Sequence, residues 1–203
     1  MEGVARRRSP VSILSGPSCA RGRRAFGCAR GGFPGEAISG RVENRLVSIM
    51  AVQDHYPDSL AWCYGCGRLN DHGHHIRTDW DGDETVSVFT PEPWHIAIPG
   101  FVYGGVIASL VDCHSTGTAA AAAYRAAGRG PGTEPPFRFV TASLRVDYLR
   151  PTPLGPPLTI RAHVKEMKGR KVVIESTVYA EGVATARGEV VAVQMPGNFG
   201  SPA

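Results

Sequence analysis

In "VYGGVIASLVDCHSTG" (102–117) two adjacent glycines, Gly104 and Gly105, precede a strongly apolar run that carries one carboxylate, Asp112. Glycines opening a helix present backbone N–H groups that have no intrahelical partner, at the positive end of the macrodipole. With no Cβ in the way, a carbonyl can approach those amides closely, and such fixed donors stabilise an oxyanion. The alternative is that the glycines only permit close packing. An acid kept in apolar surroundings has a raised pKa, which suits a general base toward water or a nucleophile toward a carbonyl carbon. Its alternative is a structural pairing with a neighbouring strand, since buried charges are usually paired.

Asp112 lies eight residues after Gly104, about 12 Å further along a helix at about 1.5 Å per residue. It therefore does not easily serve the same oxyanion site. A second protomer whose helix runs antiparallel beside the first resolves this, bringing one chain's acid to the other chain's glycines in two equivalent sites.

The elements that must hold these groups are legible around them. From Gly104 to about Ala127 there is no proline, and Ala, Leu, Val and Ile dominate until "GRGPG", which predicts one long helix, apolar almost all round and so buried. Residues 74–80 and 84–90 flank "DGD" and read as a hairpin. Four strands are expected at 138–149, 157–167, 171–181 and 184–195, with turns at "RPTPLGPP", "KGRK" and "EGVA". In "LTIRAHVKEM" and "KVVIESTVYA" one face is apolar and the other charged. The expectation is an α+β fold in which a curved antiparallel sheet wraps one buried helix.

Charge divides the chain. Residues 1–50 hold nine Arg against three Glu, whereas the whole chain has 22 Lys+Arg and 18 Asp+Glu, so the basic excess belongs to a leader. Residues 1–50 are expected to be a disordered Arg/Gly-rich segment, either a targeting peptide or sequence upstream of the true start, and 51–203 the folded domain. A nucleic-acid-binding arm would want interleaved aromatics, and Phe26 and Phe33 are isolated, so no nucleic-acid partner is expected. The apolar stretches fall short of about 18 residues, so neither is a membrane partner. A cytoplasmic location is expected.

Five cysteines, at 19, 28, 63, 66 and 113, do not form a disulfide framework. Cys63 and Cys66 have the spacing of a zinc half-site, with His72, His74 and His75 close behind, but there is no second C-x2-C. A glycine-rich turn is the expected reading, with no metal and no cofactor.

Several segments also carry a family resemblance: "CYGCG", "PWHIAIPGFVYGGVIASLVD", "VDYLRPTPLG" and "MKGRKVVIESTVYAEGVATARGEVV". Across roughly residues 60–196 the chain resembles the acyl-CoA thioesterases of the hotdog superfamily, in particular the group related to the phenylacetate-pathway (PaaI-like) thioesterase. The resemblance implies the hotdog fold, hydrolysis of an acyl-CoA or related thioester, and a homodimer or homotetramer whose active sites are shared between protomers. It places Asp112 as base or nucleophile and Thr141 where relatives hold the attacking water or the acid. Thr116, one turn after Asp112, is expected to reach the same carboxylate. His95 matches the histidine before the Pro-Gly segment and is expected to orient the thioester. Tyr103 is a departure, because relatives usually have His immediately before the two glycines. Coenzyme A phosphates need cations, offered by Arg150 and by Lys168, Arg170 and Lys171. Phe101, Trp94, Phe137 and Phe139 are candidates for an acyl channel. Two other functions share this fold: an acyl-thioester binding module without turnover, and a dehydratase, which the missing histidine disfavours.

Overall fold

A computed structural model of the chain describes residues 50–196. The expected leader, apart from Met50, lies outside the described residues, as do residues 197–203 of the expected domain.

Six strands form one sheet: β1 Asp79–Asp81, β2 Glu84–Phe89, β3 Phe139–Tyr148, β4 Leu158–Lys168, β5 Lys171–Ala180 and β6 Val183–Gln194. Their order is β1-β2-β4-β5-β6-β3, and every pairing is antiparallel. One long helix is present among the described residues, α1, spanning Gly104–Ala126. It begins at the expected glycine and ends one residue early, and the four long strands fall within a residue of their expected bounds. The two-residue loop between β5 and β6 has φ of 50° at Glu181 and 78° at Gly182, the left-handed pair that matches the twist of a tight hairpin.

The period-two patterns decide which face of the sheet takes the helix. Leu158, Ile160 and Ala162 of β4, Val172, Ile174 and Val178 of β5, and Ala186, Val190 and Ala192 of β6 are all buried in one core with Ile107, Leu110 and Val111 of α1. At about 25 cal/mol per Å² of apolar surface, burying each large aliphatic side chain stabilises the fold by about 2 kcal/mol. The opposite face is charged: Lys165 Nζ lies 2.7 Å from Glu175 and 2.6 Å from Glu189.

The expected hairpin differs at its first strand. Residues 74–78 do not pair with β2, because their backbone groups go to the preceding loop: Ile76 N–H donates to Gly65 O at 2.9 Å, and Thr78 O accepts from Val52 N–H at 3.3 Å. Ile76 and Thr78 are buried there. The segment before the sheet therefore closes over α1, leaving only Asp79–Asp81 to pair.

At the other edge β3 has one neighbour, β6. Val140, Leu144 and Tyr148 on this edge strand are exposed.

Candidate active site

Tyr103 is the N-cap of α1. Its carbonyl accepts from Val106 N–H at 3.0 Å and Ile107 N–H at 3.4 Å. The amides of Gly104 and Gly105 have no backbone acceptor among the described residues, the condition an oxyanion site requires. Each glycine faces a tyrosine ring that a side chain would press against. A Cβ at Gly104 would meet the Tyr148 ring at 3.3 Å, and one at Gly105 would meet the Tyr103 ring at 2.4 Å. Tyr148 donates from its hydroxyl to Gly104 O at 2.8 Å, tying the end of β3 to the start of the helix. Burial and the neighbouring Tyr103 push the Tyr148 phenol above its ordinary pKa.

A cleft of about 350 Å³ opens at this helix start, lined by Phe101, Gly104, Ile107, Tyr148, Arg150 and Thr152 among others. A larger hollow of about 520 Å³ lies on the outer sheet face. Its Lys165, Glu175 and Glu189 are already ion-paired, so it suits an acyl chain poorly.

Asp112 sits two turns into α1, half-buried. The Thr141 hydroxyl of β3 donates to its Oδ1. Desolvation holds the carboxyl above the usual carboxylate range, the Thr141 bond opposes this, and the Cys63 sulfur adds to it. Asp112 and Thr141 thus meet as expected. Thr116 does not join them: its hydroxyl donates back to the carbonyls of Asp112 and Cys113, each at 3.2 Å, the usual bond of a threonine inside a helix.

The remaining candidates separate into two ends. Thr141 is opposite Ala192 on β6, and Ala192 is opposite Val172 on β5. The turn carrying Lys168, Arg170 and Lys171 is therefore at the Asp112–Thr141 end of the sheet. There Arg170 donates to Gln194 O. Arg150, by contrast, lines the Gly104 cleft. His95 is held through both backbone and ring: its carbonyl accepts from Tyr103 N–H at 2.8 Å and its Nδ1 accepts from Glu92 N–H at 2.9 Å. Its ring packs 5.2 Å from His74 and 5.4 Å from Phe89, and burial pulls its pKa down. Of the aromatic channel candidates, Phe101 lines the Gly104 cleft, Phe139 is in the core and Phe137 packs against it, and Trp94 is exposed beside His95.

Sequence reasoning missed three participants. Tyr148 lay inside a quoted motif, but nothing in its spacing pointed to Gly104. His114 is completely buried, with Thr78 Oγ1 and Ser87 Oγ at 3.2 and 2.6 Å from Nδ1 and Thr85 Oγ1 at 3.2 Å from Nε2. Cys113 completes a group with Cys63 and Cys66 whose sulfurs all lie within 4.8 Å of one another, the one such cluster of metal-ligating types among the described residues. His72, His74 and His75 are not part of it.

Comparison with known proteins agrees with the fold. The family model for the thioesterase superfamily matches residues 99–187, which span β3, β4, β5 and the whole of α1. A thioesterase superfamily protein from Shewanella loihica is 47% identical, with 63% of this chain covering 96% of that one at a TM-score of 0.51. The PaaI protein of the E. coli phenylacetic acid degradation operon shares the fold, at 17% identity and a TM-score of 0.50 over 61% of this chain and 82% of that one. The chain belongs to the thioesterase superfamily and has its hotdog fold. Among curated proteins it is similar to the acyl-coenzyme A thioesterase THEM4 of Xenopus laevis, 40% identical over 43% of this chain and 33% of that protein. The mouse protein of the same name is 31% identical over 49% of this chain and 41% of its own length. The chain thus spans a third to about two fifths of these two curated relatives.

Proposed function

We propose that this protein hydrolyses acyl-CoA, or a closely related acyl thioester, to the free acid and thiol. The observation that carries the reading is a half-buried carboxylate bonded to a hydroxyl, Asp112 with Thr141, on a helix whose first two amides have no backbone acceptor among the described residues. In the proposed reaction Asp112 takes a proton as water attacks the thioester carbonyl carbon, or attacks that carbon itself. The amides of Gly104 and Gly105 take up the negative charge that forms on the carbonyl oxygen. The carbon–sulfur bond then breaks: where water attacked, the thiolate takes back the proton held by Asp112; where Asp112 attacked, the thiolate takes a proton from solvent and water then cleaves the mixed anhydride, releasing the free acid and restoring the carboxylate.

The two halves of the machinery lie about 12 Å apart on one helix, at about 1.5 Å per residue. A dimer is proposed in which one protomer's Asp112 faces its partner's helix start. The exposed apolar edge of β3, with Val140, Leu144 and Tyr148, supports it as the surface where two sheets join. A further pairing of dimers into a tetramer fits the same reading. Arg150 at one end and the Lys168–Lys171 turn at the other are the proposed cations for the coenzyme A phosphates. A cytoplasmic location is part of the same proposal; among the described residues no helix is long and apolar enough to cross a membrane.

A second reading, an acyl-thioester binding module, draws on Tyr103, whose exposed ring leans over Gly105. Thiol release measured over a panel of acyl-CoAs, with Asp112→Ala as control, separates the two. Wild type that binds a non-hydrolysable acyl-CoA analogue, releases no thiol and is unchanged by the substitution would establish the binding module instead.

A further inference from the structure

Two cysteines in a turn and a third 47 residues later on α1 bring their sulfurs together, and no step of the proposed hydrolysis uses them. Cys63 and Cys66 belong to "CYGCG", a turn closed by a 2.7 Å hydrogen bond from Gly67 N–H to Cys63 O. The turn lies tightly against the helix: a Cβ at Gly65 would stand 2.1 Å from Cys113 Sγ. Glycine at 65 is what lets the third sulfur approach.

The spacing of the sulfurs points the same way. Cys63 Sγ and Cys113 Sγ are 3.7 Å apart. A tetrahedral zinc ion with Zn–S bonds of about 2.3 Å spaces its sulfurs by about 3.8 Å. All three sulfurs lie within 4.8 Å of one another, and no pair is joined as a disulfide. Cys66 and Cys113 are buried, whereas Cys63 is exposed, so a fourth ligand position opens toward water.

We propose that Cys63, Cys66 and Cys113 form a zinc site that fastens the 61–67 turn to α1. Three thiolates are a soft ligand set that selects zinc over magnesium or calcium. Binding displaces the thiol protons to solvent as three Zn–S bonds form, with water as the fourth ligand. The site places a fixed point one residue from Asp112. It stands independently of whether Asp112 acts in catalysis.

The test is made on the full chain, purified under reducing conditions and then stripped with a chelator. Zinc is returned in competition with a chromophoric chelator, and cobalt is used separately as a spectroscopic substitute. The expected result is about one tightly bound zinc per chain and, with cobalt, thiolate charge-transfer and tetrahedral ligand-field bands. Cys63→Ser, at the exposed ligand, is expected to weaken zinc binding by about a hundredfold, because even an outer-shell change at such sites costs 10- to 100-fold. The double variant Cys19→Ser/Cys28→Ser is expected to bind as wild type does, and far-ultraviolet circular dichroism confirms that both variants are folded. Absence of zinc uptake by the reduced wild type, unchanged affinity in Cys63→Ser, or loss of binding in the Cys19/Cys28 variant would each overturn the proposal. So would uptake of copper(I) alone.

Discussion

Asp112 and His114 stand two residues apart on α1, yet the fold treats them differently. His114 points into the core and meets three hydroxyls, from Thr78, Thr85 and Ser87. Complete burial pushes its pKa down to about 3, so the ring is neutral. Asp112 is only half-buried and has one hydroxyl partner, Thr141, which leaves carboxylate lone pairs free for water or substrate. The first side chain has its hydrogen-bonding capacity satisfied and holds structure; the second keeps some in reserve. A polar residue in an apolar helix therefore signals chemistry only when its partners are too few to saturate it.

The widest separation of the two is expected from Asp112→Asn. Thiol release should fall about 10³-fold, a barrier increase of about 4 kcal/mol, with the thermal midpoint unchanged or slightly higher. An Asp112→Asn protein that hydrolyses acyl-CoA at the wild-type rate would remove the distinction.

His114→Leu should show the opposite profile. It removes the imidazole bonds of three buried hydroxyls, each of which keeps at least one other partner, and is expected to cost about 2 kcal/mol in urea unfolding, while the folded fraction keeps its turnover within a few-fold. The same ring imposes a pH dependence. Its folded pKa of about 3 lies below the ordinary 6.5, so its neutral form contributes fully above pH 6.5, and the contribution is lost as pH falls from 6.5 toward 3. The loss over that window is of order 5 kcal/mol, and the loss should be absent in His114→Leu.

Thr141→Val removes the one partner of Asp112 at nearly constant volume. About a tenfold drop in kcat is expected, roughly 1.4 kcal/mol, with the melting temperature within a few degrees of wild type. The smallest effect is expected at the helix cap. If position 103 serves through its backbone, Tyr103→His should leave thiol release within about tenfold, with α1 intact by circular dichroism.

The helix was legible as a proline-free, Ala-rich apolar run between two glycines and "GRGPG", and the four long strands as runs of ten or more residues bounded by Gly or Pro turns, with alternation clearest in β4 and β5. The hairpin before them was half legible: alternation in "HHIRTDW" suggested a strand, but Ile76 and Thr78 spend their backbone groups on the loop over α1. Asp112, Gly104 and Thr141 were visible from type, spacing and resemblance. Tyr148, His114 and Cys113 were not, because their partners come from elements 27 to 50 residues away, and contacts at that separation leave no periodic trace. Thr116 failed for a local reason, its hydroxyl being already satisfied by the helix backbone.

The ring of Tyr103 occupies the space that a side chain at position 105 would need, with its Cε1 2.4 Å from where a Cβ would stand. Tyr103 is itself exposed, so what must move for a larger residue at 105 is this ring and not the helix backbone. How much position 105 can carry is thus set by position 103, and a smaller side chain at 103 is expected to ease a change at 105.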